Sequence, residues 1–389
     1  MKRLAGALGL IALAGCTTVG QVPSDLHAGL LTLDTHLDTP INFGRPGWRF
    51  DERHDLATDL AQVDLGRMRE GGLDGGFFVI YTEQGPLTPK GYADALAFAR
   101  SRSDLIDRTI ADYPALIAPA RDAAEVRRLH GVGKLIALKS IENSYPLGED
   151  LTLLAEFHRK GVRMASPVHS KANQFADSAT DAARWGGLSP LGRTWVLEMN
   201  QLGIVIDASH ASDQAFDQLL EQSRYPIILS HSSLRSAYDH PRNLDEARLR
   251  RLAAKGGAMC ISTIFLSEMN LSPERAKLFA TYERIATLSE AQQAELTRRW
   301  RDLDRREQMW NADFEKFMAM LLRAITVAGV DHVCVGGDWD GGGGIAGMED
   351  ISALPKVTAR LQAAGYSHDE IRKIWSGNLL RILEAQHGG

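Results

Sequence analysis

Residues 204–210 read IVIDASH and residues 226–233 read PIILSHSS, so two short apolar runs each end in a histidine. The two histidines, His210 and His231, are 21 residues apart. That distance accommodates a helix, two short connections and a strand, and residues 213–222 between them have apolar residues at helical spacing. The pattern predicts a βαβ unit in which both histidines lie at the same end of neighbouring parallel strands.

Similar units extend in both directions along the chain. Gly161, Gly203 and Gly256 follow helix-like stretches and are typical helix stops. Eight alternating strands and helices predict an α/β fold, a TIM-type (β/α)8 barrel, and 389 residues suit one such domain, which we assign to residues 29–389. The eight apolar runs are near residues 30–38, 74–82, 134–142, 162–169, 203–210, 226–233, 257–264 and 332–338.

Residues 265–330 interrupt this alternation before the last strand. They carry no strand pattern, but have Glu, Arg, Leu and Ala at helical spacing. We predict a helical insertion, for which three roles stay open: a lid, a homodimer contact, or a solvated hairpin with no part in the chemistry.

Side chains able to bind a metal or move a proton follow the predicted strands. A barrel assembles its active site at the carboxyl ends of its strands, so these side chains are expected to meet. Glu142 directly follows an apolar run, where an unpaired carboxylate would be costly and a metal would supply its partner. Imidazole and carboxylate ligands suit zinc, with iron and manganese as alternatives. The pattern predicts a metal-dependent hydrolase with His36, Asp38, Glu142, His210, His231 and Asp338 at its centre.

The glycine-rich residues 336–341 permit two other interpretations. A calcium loop fails because Gly342 occupies the third ligand position, and a phosphate-binding loop lacks the Lys-Ser or Lys-Thr pair. We interpret the segment as a turn that exposes Asp338, with Asp340 as the rival proton carrier.

Short motifs support a family resemblance. They are THLD at 35–38, IE at 141–142, VHS at 168–170, GLSPLG at 187–192, IDASH at 206–210, SHSS at 230–233, RN at 242–243, GDWDG at 337–341 and GNLLR at 377–381. From about residue 30 onward, the chain resembles the membrane (renal) dipeptidases, peptidase family M19 of the amidohydrolase superfamily.

The resemblance implies a zinc-dependent dipeptidase with two Zn²⁺ ions. His36 and Asp38 would hold one ion, His210 and His231 the other, and Glu142 would bridge both. The implied reaction is attack on a dipeptide, of L,L or L,D configuration, by a hydroxide that the two metals share.

The resemblance also assigns three other residues. His169 and Arg242 would bind the substrate, with His169 also catalytic, and Asp338 would move the proton. From the sequence alone, His169 could instead be a packing residue, and Arg242 could be a surface ion-pair partner. The chain departs from the family pattern where Asn143 and Ser144 follow Glu142, because a glycine pair often stands there.

Two rival functions remain open at this stage. One is another binuclear amidohydrolase that acts on a lactam, a lactone or an N-acyl amino acid. The other is a lipid-anchored binding protein without turnover. The presence of a suitable residue at every metal-ligand position argues against this second function. A net charge of −5 and the lack of a long basic stretch give no sign of a nucleic-acid partner.

The N-terminus predicts export. Lys2 and Arg3 precede an apolar run at residues 4–14, and LAGC at 13–16 resembles a bacterial lipoprotein cleavage box. We expect a signal peptide at residues 1–15, a lipid on Cys16 and a linker over residues 16–28. Thr17 in place of Asp favours a lipid-anchored protein of the outer membrane that faces the periplasm.

Cys260 and Cys334 both lie in apolar strand patterns. Although an exported protein can form disulfides, two strand cysteines are not a disulfide framework. We expect both to be free, buried thiols.

Overall fold

The computed structural model describes residues 24–386. The predicted signal peptide, the lipid-attachment residue Cys16 and the first part of the predicted linker lie outside them. The last five linker residues form a short helix, Ser24–Ala28. Its His27 is buried and hydrogen-bonds the hydroxyl of Thr358 and the carbonyl of Gly71, so this segment packs on the barrel domain. No described helix combines the length and apolar character that a bilayer-spanning segment needs.

The described residues contain nine strands, paired in parallel throughout. Their bounds are β1 (Leu33–Leu37), β2 (Gly75–Tyr81), β3 (Ile117–Pro119), β4 (Leu135–Glu142), β5 (Val162–Ala165), β6 (Val205–Ile206), β7 (Ile228–Ser232), β8 (Ala258–Ile261) and β9 (Val333–Val335).

Eight of these strands close into a barrel. Ladders join β1-β2-β4-β5-β6 and β7-β8-β9. A parallel bridge between Asp207 and Ile228 connects β6 to β7, and one between Leu37 and Trp339 connects β1 to the segment after β9. The extra strand β3 pairs with the first half of β4 and is not a ninth strand of the barrel. The predicted TIM-type barrel is confirmed, and each predicted apolar run contains one of its strands.

Helices cover the outside of this barrel. Several begin after a serine or threonine that caps the helix and is followed by proline. The Ser189 hydroxyl, for example, accepts a hydrogen bond from the backbone amide of Gly192. Within residues 24–386 the α-helices are α1 (Ser24–Ala28), α2 (Leu65–Glu70), α3 (Pro89–Ala111), α4 (Ala123–Gly131), α5 (Thr152–Arg159), α6 (Pro190–Leu202), α7 (Asp213–Gln222), α8 (Glu246–Ala254), α9 (Pro273–Tyr282), α10 (Glu290–Asp304), α11 (Phe314–Ala328), α12 (Leu354–Ala363), α13 (His368–Arg372) and α14 (Asn378–Ala385).

Apolar side chains fill the amino-terminal half of the barrel. Leu33, Phe77 and Ile136 belong to one buried cluster with Leu379 and Leu383 of α14. Helix α14 closes this end, because Arg381 donates to the carbonyl of Gly256, just before β8. The floor is therefore apolar, and the polar side chains are left to the opposite end.

The helical insertion before the last strand is confirmed, but it is shorter than residues 265–330. Helix α11 packs on α8, β8 and β9 and is the barrel's own helix before β9. Only α9 and α10 are additional. They are held on the barrel mouth by Arg45, which bonds Gln293, and by Tyr282, whose hydroxyl donates to the carbonyl of Asp340. The insertion therefore packs against the barrel mouth and is not a solvated hairpin.

The prediction of free thiols is wrong: Cys260 and Cys334 form a disulfide with an S–S distance of 2.10 Å. Cys260 of β8 is paired in register with Cys334 of β9, so both side chains point to the same side of the sheet. Both belong to the buried cluster below the site. The sequence could not show this register, because the two residues are 74 positions apart with the insertion between them.

Replacing both cysteines by alanine should lower the free energy of unfolding by about 2–4 kcal/mol, because the cross-link restricts the unfolded chain. Urea unfolding of the oxidised wild type and the double variant measures the difference. Wild type in reductant is the matched control and should lose a similar amount. If oxidised protein, unfolded and alkylated without reductant, yields both cysteine peptides in alkylated form, the disulfide assignment is contradicted.

Candidate metal centre

The functional side chains gather at the carboxyl-terminal mouth of the barrel. All eight strands run in the same direction, so residues at their carboxyl ends open onto one face. The structure brings together on this face all of the residues to which the sequence assigned a role, namely His36, Asp38, Glu142, His169, His210, His231, Arg242 and Asp338.

The carboxylate of Glu142, the last residue of β4, lies between two groups of side chains, one centred on His36 and the other formed by His210 and His231. Its Oε1 is 2.9 Å from His210 Nε2 and 3.4 Å from His231 Nε2. Its Oε2 is 3.5 Å from His36 Nε2. A carboxylate that presents one oxygen to each group has the arrangement required of a bridging ligand.

The first group centres on His36. Its Nε2 is 3.3 Å from Asp38 Oδ2 and 3.7 Å from Asp338 Oδ1. This nitrogen is buried and has no hydrogen-bond partner among the described residues. A buried ring nitrogen that faces carboxylate oxygens at these distances fits coordination of a shared cation.

The second group consists of two imidazoles, with His210 Nε2 and His231 Nε2 2.9 Å apart. Burial lowers the pKa of both well below the usual value, and the charge of Arg242 adds to this for His210. Both rings are therefore neutral, which is the form that binds metal. Ligands about 2.0–2.1 Å from a tetrahedral zinc ion are separated by about 3.3 Å, so the nitrogens need move little to share one ion.

Charge in the site also favours a cation. Burial raises the pKa of Asp338 well above its usual value, and the nearby Asp38 carboxylate adds to the effect. Burial would also raise the pKa of Glu142, but the charge of His36 and hydrogen bonds from His210 and His36 outweigh this effect and lower the pKa. Three buried carboxylates share this mouth, and divalent cations would compensate their charge. The residues present fit a divalent metal centre.

Ser230 connects the two groups from below. Its hydroxyl donates to Asp207 Oδ2 at 2.5 Å and lies 2.8 Å from His231 Nδ1. It is also 3.4 Å from His36 Nδ1. Because the single hydroxyl proton goes to Asp207, the oxygen accepts from His231 Nδ1–H, which leaves Nε2 of that ring free to coordinate.

Sequence reasoning gave no role to two buried acids, Asp34 and Asp207. Asp34 accepts hydrogen bonds from the amides of His36 and Gly337 and from Trp339 Nε1, and thus ties β1 to the loop after β9. Burial raises its pKa to about 6. Both acids lie in apolar strand patterns, so the criterion applied to Glu142, that a buried carboxylate needs a partner, could have found them.

The departure after Glu142 has a structural explanation. Asn143 has φ of 70°, a left-handed conformation that glycine adopts freely and that asparagine tolerates better than most residues. Its amide side chain donates to the carbonyl of Thr82, and its backbone N–H donates to the hydroxyl of Ser166. Asparagine therefore keeps the turn and fixes it to neighbouring strands.

The loop after β9 places the two candidate proton carriers, Asp338 and Asp340, in different surroundings. Asp338 and Asp340 both have positive φ, 59° and 66°. Asp340 accepts a hydrogen bond from the Gln62 amide at 2.7 Å, whereas Asp338 faces His36. Close packing requires glycine at position 341, where a Cβ would come within 2.1 Å of Asp38 Oδ2.

His169 and Arg242 line the site as well. His169 Nε2 is 3.8 Å from Glu142 Oε1, and the His169 ring contacts Tyr81 edge-on. Arg242 is buried, which lowers its pKa to about 10, and its Nη2 is 3.2 Å from His210 Nε2. Its Nε has no hydrogen-bond partner in residues 24–386. The surface ion-pair interpretation of Arg242 is therefore wrong.

A cavity of about 760 Å³ opens from the metal centre. Asp38, Glu142, His169, Arg242 and Asp338 form its base, and α3 and α9 flank it. A cleft of this size, mostly apolar with a few convergent polar groups, is typical of a small-molecule site.

Comparisons with known proteins agree with this geometry. Residues 21–387 match the family model of the membrane dipeptidases, peptidase family M19. Dipeptidase tcpJ of Claviceps purpurea is 32% identical over 348 residues, which cover 86% of this chain and 72% of that protein.

Solved structures give the same result. The probable dipeptidase PvdM from Pseudomonas aeruginosa is 29% identical with a TM-score of 0.79, over 93% of this chain and 96% of that one. Dipeptidase AC, a family M19 metallopeptidase, is 25% identical with a TM-score of 0.72, over 92% and 99%. The chain belongs to the M19 membrane dipeptidase family, as its motifs predicted, and is a metallo-dipeptidase.

Replacing Ser230 with alanine should weaken divalent-metal affinity by about 10–100-fold, because the hydroxyl orients a histidine of each group. Competition between the protein and a chelator, followed by metal analysis, measures the change. Ser233→Ala is the matched control, since this hydroxyl bonds the carbonyl of Ile264 instead. Equal metal retention by both variants would contradict a positioning role for Ser230.

Proposed function

We propose that this M19 metallo-dipeptidase hydrolyses dipeptides with two zinc ions, one held by His36 and Asp38, the other by His210 and His231. Glu142 would bridge them. The observation that carries the proposal is the Glu142 carboxylate, with one oxygen toward His210 and the other toward His36.

Zinc is supported by the donor set, which combines imidazoles with carboxylates in a buried site. When bound, the ions would supply a nucleophilic water at neutral pH and polarise the scissile carbonyl. The protein's own side chains would bind and orient the dipeptide and carry the proton.

Asp338 is the proposed proton carrier. It lines the cavity beside His36 and, unlike Asp340, faces the centre. From this position it would accept a proton from the attacking water and deliver it to the leaving amine.

His169 and Arg242 are the proposed substrate-binding groups. The imidazole of His169, neutral because burial lowers its pKa, would donate a hydrogen bond to the carbonyl oxygen as negative charge develops there. Arg242 would pair with the C-terminal carboxylate of the dipeptide, for which a planar guanidinium is well suited. This contact would select short peptides with a free C-terminus of either configuration.

Asp338→Asn should lower kcat by about 10²–10⁴-fold while bound metal is retained, because the amide cannot carry the proton. Steady-state kinetics on a dipeptide and metal analysis of the same sample measure both quantities. Asp340→Asn is the matched control. Burial raises the pKa of Asp340 to about 7, and an asparagine oxygen can still accept from the Gln62 amide. The assignment is wrong if the control loses as much turnover as Asp338→Asn.

Arg242→Lys should lower kcat/KM for a dipeptide by about 10²-fold, because a buried charge-assisted pair loses its planar geometry. The same dipeptide with an amidated C-terminus should be a poor substrate for wild type and change little in the variant. Substrates without a carboxylate, such as simple lactones, test the rival amidohydrolase function. If wild type hydrolyses lactones better than dipeptides, the proposal fails.

A further inference from the structure

We infer that the cavity wall between α3 and α9 binds the N-terminal residue of the dipeptide and selects a large apolar side chain. The inference rests on the proposed function, since Arg242 fixes the direction in which the substrate lies. It assigns a role to α9, the part of the chain that is additional to the barrel.

The direction follows from the two ends of the site. Arg242 contacts His210 and the carbonyl of His231, so the C-terminal carboxylate would lie beside the second group. At the opposite end, Arg102 of α3 donates to the carbonyl of Pro40, two residues after Asp38. With the scissile carbonyl over Glu142, the N-terminal residue therefore extends toward α3 and away from Arg242.

Helix α3 presents one face to this end of the cavity. Gly91, Ala95, Phe98 and Arg102 line it, at spacings of four, three and four residues, which is one stripe of a helix. Phe98 remains 46% exposed although it lies at the cavity wall, and its ring lies under the Arg102 guanidinium. The Phe98 side chain is therefore not fully covered by packing within the protein.

Helix α9 supplies the facing stripe. Ala276, Phe279 and Ala280 line the cavity from this side, again at helical spacing. Ala276 and Ala280 are small and exposed, and Phe98 and Phe279 line the same cavity. A large apolar side chain that contacts this lining would be removed from water.

Contacts within the protein hold this wall in position. Tyr282, which ends α9, bonds the carbonyl of Asp340, and Leu278 and Ile285 are buried in a cluster with α10. Arg275 of α9 pairs with Asp304 of α10 at 2.7 Å. A wall held by such contacts discriminates between side chains at little cost in ordering.

The test compares Phe-Ala with Gly-Ala on the zinc-loaded enzyme. Wild type should prefer Phe-Ala by at least about tenfold in kcat/KM. Ala280→Leu enlarges a side chain that lines the cavity and should lower kcat/KM for Phe-Ala about tenfold, mainly through KM, with kcat/KM for Gly-Ala changing less than about twofold. Lys277→Leu places the same side chain on the same helix at an exposed position outside the cavity lining. This control should leave kcat/KM unchanged for both dipeptides.

Phe98→Ala and Phe279→Ala provide an independent check that does not depend on overfilling the site. Both variants should lower the ratio of kcat/KM for Phe-Ala to kcat/KM for Gly-Ala. The corresponding ratio for Ala-Phe and Ala-Gly should not fall by the same factor. A wild type without preference, or a loss confined to the Ala-Phe series, overturns the inference alone. Failure to hydrolyse any dipeptide overturns the proposed function and this inference with it.

Discussion

The constraint on which this structure depends is the burial of several carboxylates in one barrel mouth. Burial and the charges of Asp38 and Glu142 raise the pKa of Asp338, and Arg242 is a cation at the edge of this group. Burial limits the solvation of these charges by water, so histidines, hydrogen bonds and, in the proposal, divalent ions must compensate them. Most of the local irregularity follows, including the left-handed turns at Asn143 and Asp338 that bring polar groups to the centre.

A second set of buried acids supports the first. Asp34 bonds the loop after β9 to β1, and Asp207 holds the Ser230 hydroxyl against His231. Neither carboxylate lines the cavity, yet both fix the side chains that do. The apolar half of the barrel beneath, with α14 and the Cys260–Cys334 disulfide, provides the rigid base that such fixed distances require.

The helical insertion adds part of the cavity wall to the barrel. The strand ends carry the motifs, while α9 and α10 are packed onto the mouth by Arg45 and Tyr282. Because α3 and α9 both line the cavity, the inferred selection of substrate resides on a different part of the fold from the metal centre. Loops and insertions over a fixed barrel are the usual means by which this architecture varies its substrates.

Local sequence pattern was sufficient to predict the barrel and the position of His36, Glu142 and His231 at its mouth, because each strand is a short apolar run and each proposed ligand lies within, ends or follows such a run. His169 and Arg242 were assigned only by the resemblance to the family. The tertiary structure was needed to establish the disulfide, the hydrogen-bond partners of Asp34 and Asp207, and the division of residues 265–330 into α9, α10 and the barrel helix α11. These depend on strand register and on packing between segments far apart in the chain, and neither leaves a periodic signal in the sequence.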